Sequence, residues 1–293
     1  MNTPNFAETT GMPLRGTPDT IGFAERGAET LKMDIYHTGG PARPGVLYAY
    51  GGGFVKGARE NERQSALIAR LLHDGWAVVV PDYRRGAPPE ALAQPLLRQV
   101  RQAARQARSE GVGLARKLMG HRLFLASEDI SDALRYCRLN WGALGLTGPR
   151  LAMIGVSAGG LAGNTLCHPP VPWQGRFEQP DAMVSLAAPV VHPFALRRDA
   201  PPVWVLHGQR DRILPVGDSA RIAARAPEAG APVEVQMPPD APHIQITRYL
   251  LQRTVAPGQT YYDLMAAFLR RNGVGPDPLA SEGRGFNPVR NNG

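Results

Sequence analysis

Gly155-Val156-Ser157-Ala158-Gly159-Gly160 is the stretch whose context decides how this chain folds. Leu151-Ala152-Met153-Ile154 precedes it as a short apolar run of strand type, and Leu161-Ala162-Gly163-Asn164-Thr165-Leu166 continues it as a helix. A bare Gly-x-Ser-x-Gly recurs by chance, and a glycine-rich turn with an incidental serine also fits it. Between a strand and a helix the pattern acquires a mechanical meaning, a tight turn that lifts the serine hydroxyl above the sheet edge. The flanking glycines let strand and helix pass closely, and the helix N-terminus lies where negative charge would develop. A serine used this way needs a base, an acid that orients the base, and donors for an oxyanion.

Downstream residues fit those roles in order. Pro202-Val203-Trp204-Val205-Leu206 reads as a strand and runs into His207-Gly208-Gln209-Arg210-Asp211, which sets Asp211 on a loop past a strand end. Val233-Glu234-Val235-Gln236-Met237 alternates apolar and polar residues, as a half-buried strand does. It leads to Pro238-Pro239-Asp240-Ala241-Pro242-His243. Gly217 to Ala226 has helical composition and fills the crossover between two parallel strands. Ser157, Asp211 and His243 are therefore the expected nucleophile, acid and base. Asp240 is the rival acid. Asp218 reads as an early-turn carboxylate on the following helix. His207 reads as a shaper of the acid loop, and His192 as a pocket residue that breaks the required order. His37, His73, His121 and His168 fall in surface or packing contexts.

Upstream, the strand Val46-Leu47-Tyr48-Ala49-Tyr50 ends in Gly51-Gly52-Gly53-Phe54. Consecutive glycines let backbone N–H groups approach a substrate, so Gly52 and Gly53, with Ala158 after the serine, are the expected oxyanion donors. No Lys-Ser/Thr pair follows and no Gly-x-Gly-x-x-Gly opens a helix, which argues against a phosphate loop.

Together these motifs resemble the α/β-hydrolase superfamily, and within it the hormone-sensitive-lipase-like carboxylesterases and neighbouring esterase/lipase groups. Tyr50-Gly51-Gly52-Gly53-Phe54 is similar to their His-Gly-Gly-Gly-Phe/Trp loop, and Gly155 to Gly160 to their Gly-x-Ser-Ala-Gly-Gly. Asp82-Tyr83-Arg84-Arg85-Gly86-Ala87-Pro88-Pro89-Glu90 echoes Asp-Tyr-Arg-Leu-Ala-Pro-Glu, and His207 to Pro215 matches the acid motif. The resemblance spans roughly residues 30 to 270. It implies a mostly parallel, doubly wound sheet with helices on both faces. It also implies hydrolysis of small or medium carboxylic esters through an acyl-enzyme, without cofactor or metal. Tyr50 departs from the family's histidine, so an altered pocket lined by Tyr50, Phe54 and His192 is expected. A related amidase of arylformamidase type, a thioesterase, a transferase and a non-catalytic binder on the same fold remain alternatives.

A second departure is an insertion over residues 91–123. Leu97, Val100, Ala104 and Ala107 recur there at helical spacing beside Arg98, Arg101, Arg105 and Arg108. It reads either as a solvated packed helix or as a lid or partner surface. The resulting organisation is an N-terminal segment (1–30), a hydrolase domain (31–272) and a loose tail (273–293).

The 293 residues and 43 % apolar content suit one such domain with a buried core. Net charge is +8, carried almost wholly by arginine scattered without a nucleic-acid motif, so nucleic acid is not an expected partner. The two cysteines, Cys137 and Cys167, fall within helices and read as buried small residues. Met1 to Glu8 lacks the basic start and apolar core of a secretory signal, and no segment is apolar enough to span a membrane. A cytoplasmic protein acting on a small-molecule ester, with a homodimer left open, is the resulting expectation.

Overall fold

Buried apolar runs become central strands where both sheet faces are covered, and here they assemble eight strands into one sheet. The computed structural model describes residues 17–37 and 41–276. The strands are β1 (Asp19–Arg26), β2 (Glu29–Tyr36), β3 (Arg43–Ala49), β4 (Ala77–Pro81), β5 (Leu146–Val156), β6 (Ala182–Leu186), β7 (Val203–Leu206) and β8 (Val233–Gln236). Their spatial order is β1-β2-β4-β3-β5-β6-β7-β8. β1 and β2 run antiparallel to their neighbours, and every pairing from β4 to β8 is parallel. The sequence predicts strands near residues 31–35, 46–50, 77–81, 151–155, 182–186, 202–207 and 233–237, and all seven are present.

β1 was not expected, and it lies in the segment set aside as residues 1–30. Its side chains are exposed or half-buried, as an edge strand's are, so it carries no continuous apolar signal. A small hairpin of β9 (Thr254–Ala256) and β10 (Gln259–Thr260), turned by Pro257-Gly258, also escaped the pattern because it buries almost nothing. At the other end, Val274 is buried and its N–H donates to the Leu269 carbonyl at 3.0 Å. Residues 273–276 therefore pack on the domain rather than opening a loose tail. The rest of that expected tail lies outside the described residues.

From β3 the chain steps to one side through α1 (Glu62–His73) to β4, then crosses back past β3 to β5. The strand order thus reverses between β3 and β5, and such a switch point opens a crevice at the carboxyl ends of the strands. Right-handed crossovers place α1 on one face and α3 (His121–Leu139), α4 (Ala158–Cys167) and α5 (Val216–Ala229) on the other. α6 (Ile246–Gln252) and α7 (Tyr261–Arg271) pack with each other, and α6 also packs with α1. α7 begins with a capping box of Thr260 and Asp263. No helix among the described residues is long and apolar enough to cross a membrane.

The insertion contains one long helix, α2 (Gln94–Ser109). Leu97, Val100, Ala103 and Ala107 are its buried stripe, with Ala104 only partly covered, while Arg98, Arg101, Arg105 and Arg108 face solvent. Its exit is fastened to the first turn of α5 by Asp218, which accepts from the N–H of Gly113 at 2.8 Å and of Leu114 at 3.1 Å and pairs with Arg221 at 2.8 Å. Asp218 is thus more than an early-turn carboxylate. Its partners lie about a hundred residues upstream, where no local pattern reveals them. Residues 187–202, between β6 and β7, hold only one turn of 3₁₀-helix and no inserted cap.

Removing a buried acceptor leaves its donors unsatisfied, at about 1–3 kcal/mol. Asp218→Ala is expected to lower unfolding free energy by about 2 kcal/mol in urea titration and to speed proteolytic cleavage within residues 110–119.

Candidate active site

Ser157 sits at the end of β5 with φ 52° and ψ −114°, outside the regions that ordinary residues occupy. Such a conformation costs on the order of 1–3 kcal/mol and persists only where its surroundings impose it. Here the Ser157 N–H is held by the Leu186 carbonyl at 2.8 Å, on the neighbouring β6. The turn closes because its glycines lack side chains. A Cβ on Gly155 would lie 2.5 Å from the Gly159 carbonyl oxygen, and one on Gly159 would lie 2.2 Å from that of Ala49.

The loop after β7 brings Asp211 to this point, and the loop after β8 brings His243. His243 Nε2 lies 3.0 Å from Ser157 Oγ, and His243 Nδ1 lies 2.6 Å from Asp211 Oδ2. The three side chains form one hydrogen-bonded chain across the ends of β5, β7 and β8. The Asp211 carboxylate has no accessible surface. That burial favours its neutral form, yet hydrogen bonds from His207, His243 and the N–H groups of Leu214 and Ile213 outweigh it and hold its pKa well below the ordinary carboxylate range. The buried group is ionised because it is fully partnered.

His207 has a larger part than shaping the loop. Its Nε2 lies 2.9 Å from Asp211 Oδ2 and its Nδ1 2.7 Å from Ser219 Oγ, so the acid stands between two imidazoles. The four-residue spacing His207 to Asp211 was visible in the sequence, but the Ser219 contact was not. The rival acid, Asp240, is engaged elsewhere. It accepts from the Tyr249 hydroxyl at 2.6 Å and pairs with Arg253 at 2.8 Å.

Opposite the serine, Gly51 to Gly53 follow β3. Gly52 takes φ 130° and Gly53 φ 62°. A Cβ on Gly52 would meet the Lys56 carbonyl oxygen at 2.1 Å, because that glycine's own carbonyl accepts from the Lys56 N–H at 3.0 Å. A Cβ on Gly51 would lie 3.2 Å from Ser157 Cβ, so the loop runs against the serine. Among the described residues, the N–H groups of Gly52, Gly53 and Ala158 donate to no other group.

Tyr50 lies beneath that loop, buried and stacked on Tyr83 with ring centroids 4.6 Å apart. Its hydroxyl donates to Asp82 Oδ1 at 3.3 Å, and Arg59 Nε donates to Asp82 Oδ2 at 2.9 Å. The Tyr83 hydroxyl donates to the Tyr50 carbonyl at 3.0 Å. Burial, with Asp82 adding to it, pushes the Tyr50 phenol well above its ordinary pKa, so it stays a donor. Arg84 ties the same segment to Asp129 and Glu128 on α3. Asp82, Tyr83 and Arg84 are thus a brace for the glycine loop. Phe54 is likewise buried, at φ 64°.

His192, the third candidate for the pocket, is buried beyond β6 between Trp173 and Phe194, with ring centroids at 5.4 and 5.6 Å. Burial pushes its pKa down to about 3, so it is neutral. Among the described residues neither ring nitrogen has a hydrogen-bond partner. Cys137 and Cys167 are both free and buried in helices.

No protein-family model matches this chain, and no functionally curated protein does. Solved structures do match. Esterase 2 of Thermogutta terrifontis, phosphorylated by paraoxon, aligns at TM-score 0.63 and 18 % identity over 90 % of this chain and 97 % of its own. Its propionate-bound form aligns at TM-score 0.63 and 18 % identity, covering 89 % and 97 %. The butyrate-bound form aligns at TM-score 0.60 and 17 % identity, covering 89 % and 96 %. With the sheet order, the switch point and the strand-to-helix turn at Ser157, these alignments establish that the chain has the α/β-hydrolase fold.

Proposed function

We propose that this chain is a serine hydrolase that cleaves carboxylic esters with short acyl groups. The observation that carries the reading is the hydrogen-bonded chain Ser157–His243–Asp211 facing three unengaged backbone N–H groups. Esterase activity in the Thermogutta structures supports it, and their propionate and butyrate complexes favour a small acyl pocket.

In this mechanism His243 Nε2 takes the Ser157 proton as Oγ attacks the ester carbonyl carbon. The charge that develops on the carbonyl oxygen is held by the N–H groups of Gly52, Gly53 and Ala158, each such donor being worth roughly 3 kcal/mol of barrier. Collapse of the tetrahedral species breaks the C–O bond, and His243 returns the proton to the departing alcohol. Water then attacks the acyl-Ser157, deprotonated by the same imidazole, and releases the acid. Asp211 stays ionised throughout and stabilises the charged imidazole. His207 holds Asp211 in place as a positioning residue.

A fluorophosphonate probe is expected to label Ser157, and nitrophenyl acetate, propionate and butyrate to be turned over. Ser157→Ala is expected to abolish labelling and lower kcat by at least about 10⁴-fold. Unlabelled wild-type protein with no ester turnover would refute the reading.

His207→Ala is expected to lower kcat about tenfold with KM within about twofold, the equivalent of about 1.4 kcal/mol. A merely structural role for His207 would instead lower the melting temperature and leave kcat intact.

A carboxylate whose folded pKa lies below the free value of about 3.9 stabilises the fold above that pH. The contribution is lost as pH falls through that value toward the folded one. Asp211→Asn is therefore expected to show a shallower loss of stability than wild type between about pH 5 and about pH 3, in parallel urea titrations.

A further inference from the structure

Three loops meet at the mouth of this site, and each exposes one aliphatic side chain. Val55 follows the glycine loop, Ile213 follows Asp211 and Ile244 follows His243, at 47 %, 56 % and 57 % exposure. Large aliphatic side chains on loop tips next to a nucleophile are contact surface for something apolar. Beside the base, Ile213, Pro242 and Ile244 wall a groove of about 490 Å³ that begins at His243 and is flanked by Arg210 and Arg212.

Both arginines are exposed, and among the described residues neither forms an ion pair, though Arg210 acts on the Asp240 carboxylate through space. Their sequence neighbour Asp211 is buried and turned toward the two histidines. Asp240, also near the groove, is taken by Tyr249 and Arg253. The groove therefore offers an apolar wall and two guanidinium groups outside any ion pair, which suit an oxyanion attached to an apolar body.

Which half of an ester would lie there follows from the direction of proton transfer. The imidazole that accepts the Ser157 proton must return it to the leaving oxygen, so the alcohol half departs on the His243 side. We propose that the groove between Ile213 and Ile244 binds the alcohol half of the substrate, and that this alcohol joins an apolar body to a carboxylate or similar oxyanion held by Arg210 and Arg212. The inference rests on the ester-hydrolase reading and names the substrate class for that same site.

The test compares 3-carboxy-4-nitrophenyl butyrate with its neutral analogue 3-carbamoyl-4-nitrophenyl butyrate on the full chain. Wild type is expected to favour the carboxylate about tenfold in kcat/KM, mainly through KM, given two exposed charge pairs. The preference should shrink with added salt. In the Arg210→Gln/Arg212→Gln double variant the ratio of the two esters is expected to fall to about one. Arg150→Gln, a cation on the far edge of β5, should keep the wild-type ratio. An equal rate on both esters, or a preference that survives the double variant, overturns the inference while leaving ester hydrolysis intact. Failure to turn over either ester overturns the hydrolase reading and the inference with it.

Discussion

The site depends on one local constraint, the turn that holds Ser157 at φ 52° between β5 and α4. A free chain would relax that residue within nanoseconds, since nothing in its own chemistry prefers the conformation. It persists because β5 is paired on both sides, because Leu186 on β6 takes the Ser157 N–H, and because Gly155 and Gly159 allow a helix to pass where side chains would collide. The strain is distributed over a rigid parallel sheet, where local unfolding is least accessible. The same arrangement leaves the Ala158 N–H at the open end of α4 without an intrahelical acceptor.

Around that turn, buried charge is handled by complete partnering. Asp211 takes four donors, Asp129 takes Arg26 and Arg84, and Asp82 takes Arg59 and Tyr50. Each carboxylate ties together segments distant in sequence, and an unpaired one would be costly at these positions. Tyr50 shows how a large phenol is held beneath the glycine loop. Its ring stacks on Tyr83 and its hydroxyl reaches Asp82, so the glycine loop above it stands on a packed aromatic pair. The phenol fits because the loop's Gly57 leaves room, a Cβ there lying 2.7 Å from the Tyr50 ring.

Much of the fold was legible because its central strands are buried on both faces. Val46 to Ala49 and Ala77 to Pro81 are continuous apolar runs for that reason, Ala182 to Leu186 is broken only by Ser185, and their positions could be read directly. β1 and the β9–β10 hairpin were not legible, since exposed edge strands need no apolar pattern. The stripe of α2 was read almost correctly, but Ala103 and Ala104 are adjacent small residues, and only packing decides which of them turns inward. That Ser157, Asp211 and His243 would come together was read from their strand-end placement. The second imidazole on Asp211, the fastening of residues 113–114 to Asp218 and the withdrawal of Asp240 toward Tyr249 and Arg253 were not.

The sequence by itself determined the strand-turn-helix at Ser157, the glycine loop, and the order in which Asp211 and His243 follow. These are local matters, set by backbone freedom and burial periodicity. The tertiary structure alone decided which carboxylate faces which imidazole, what supports the glycine loop from below, and which arginines stay outside ion pairs at the mouth. Those outcomes depend on contacts between residues tens to a hundred positions apart, whose distances are fixed only when the sheet is assembled and its crossovers have chosen their faces.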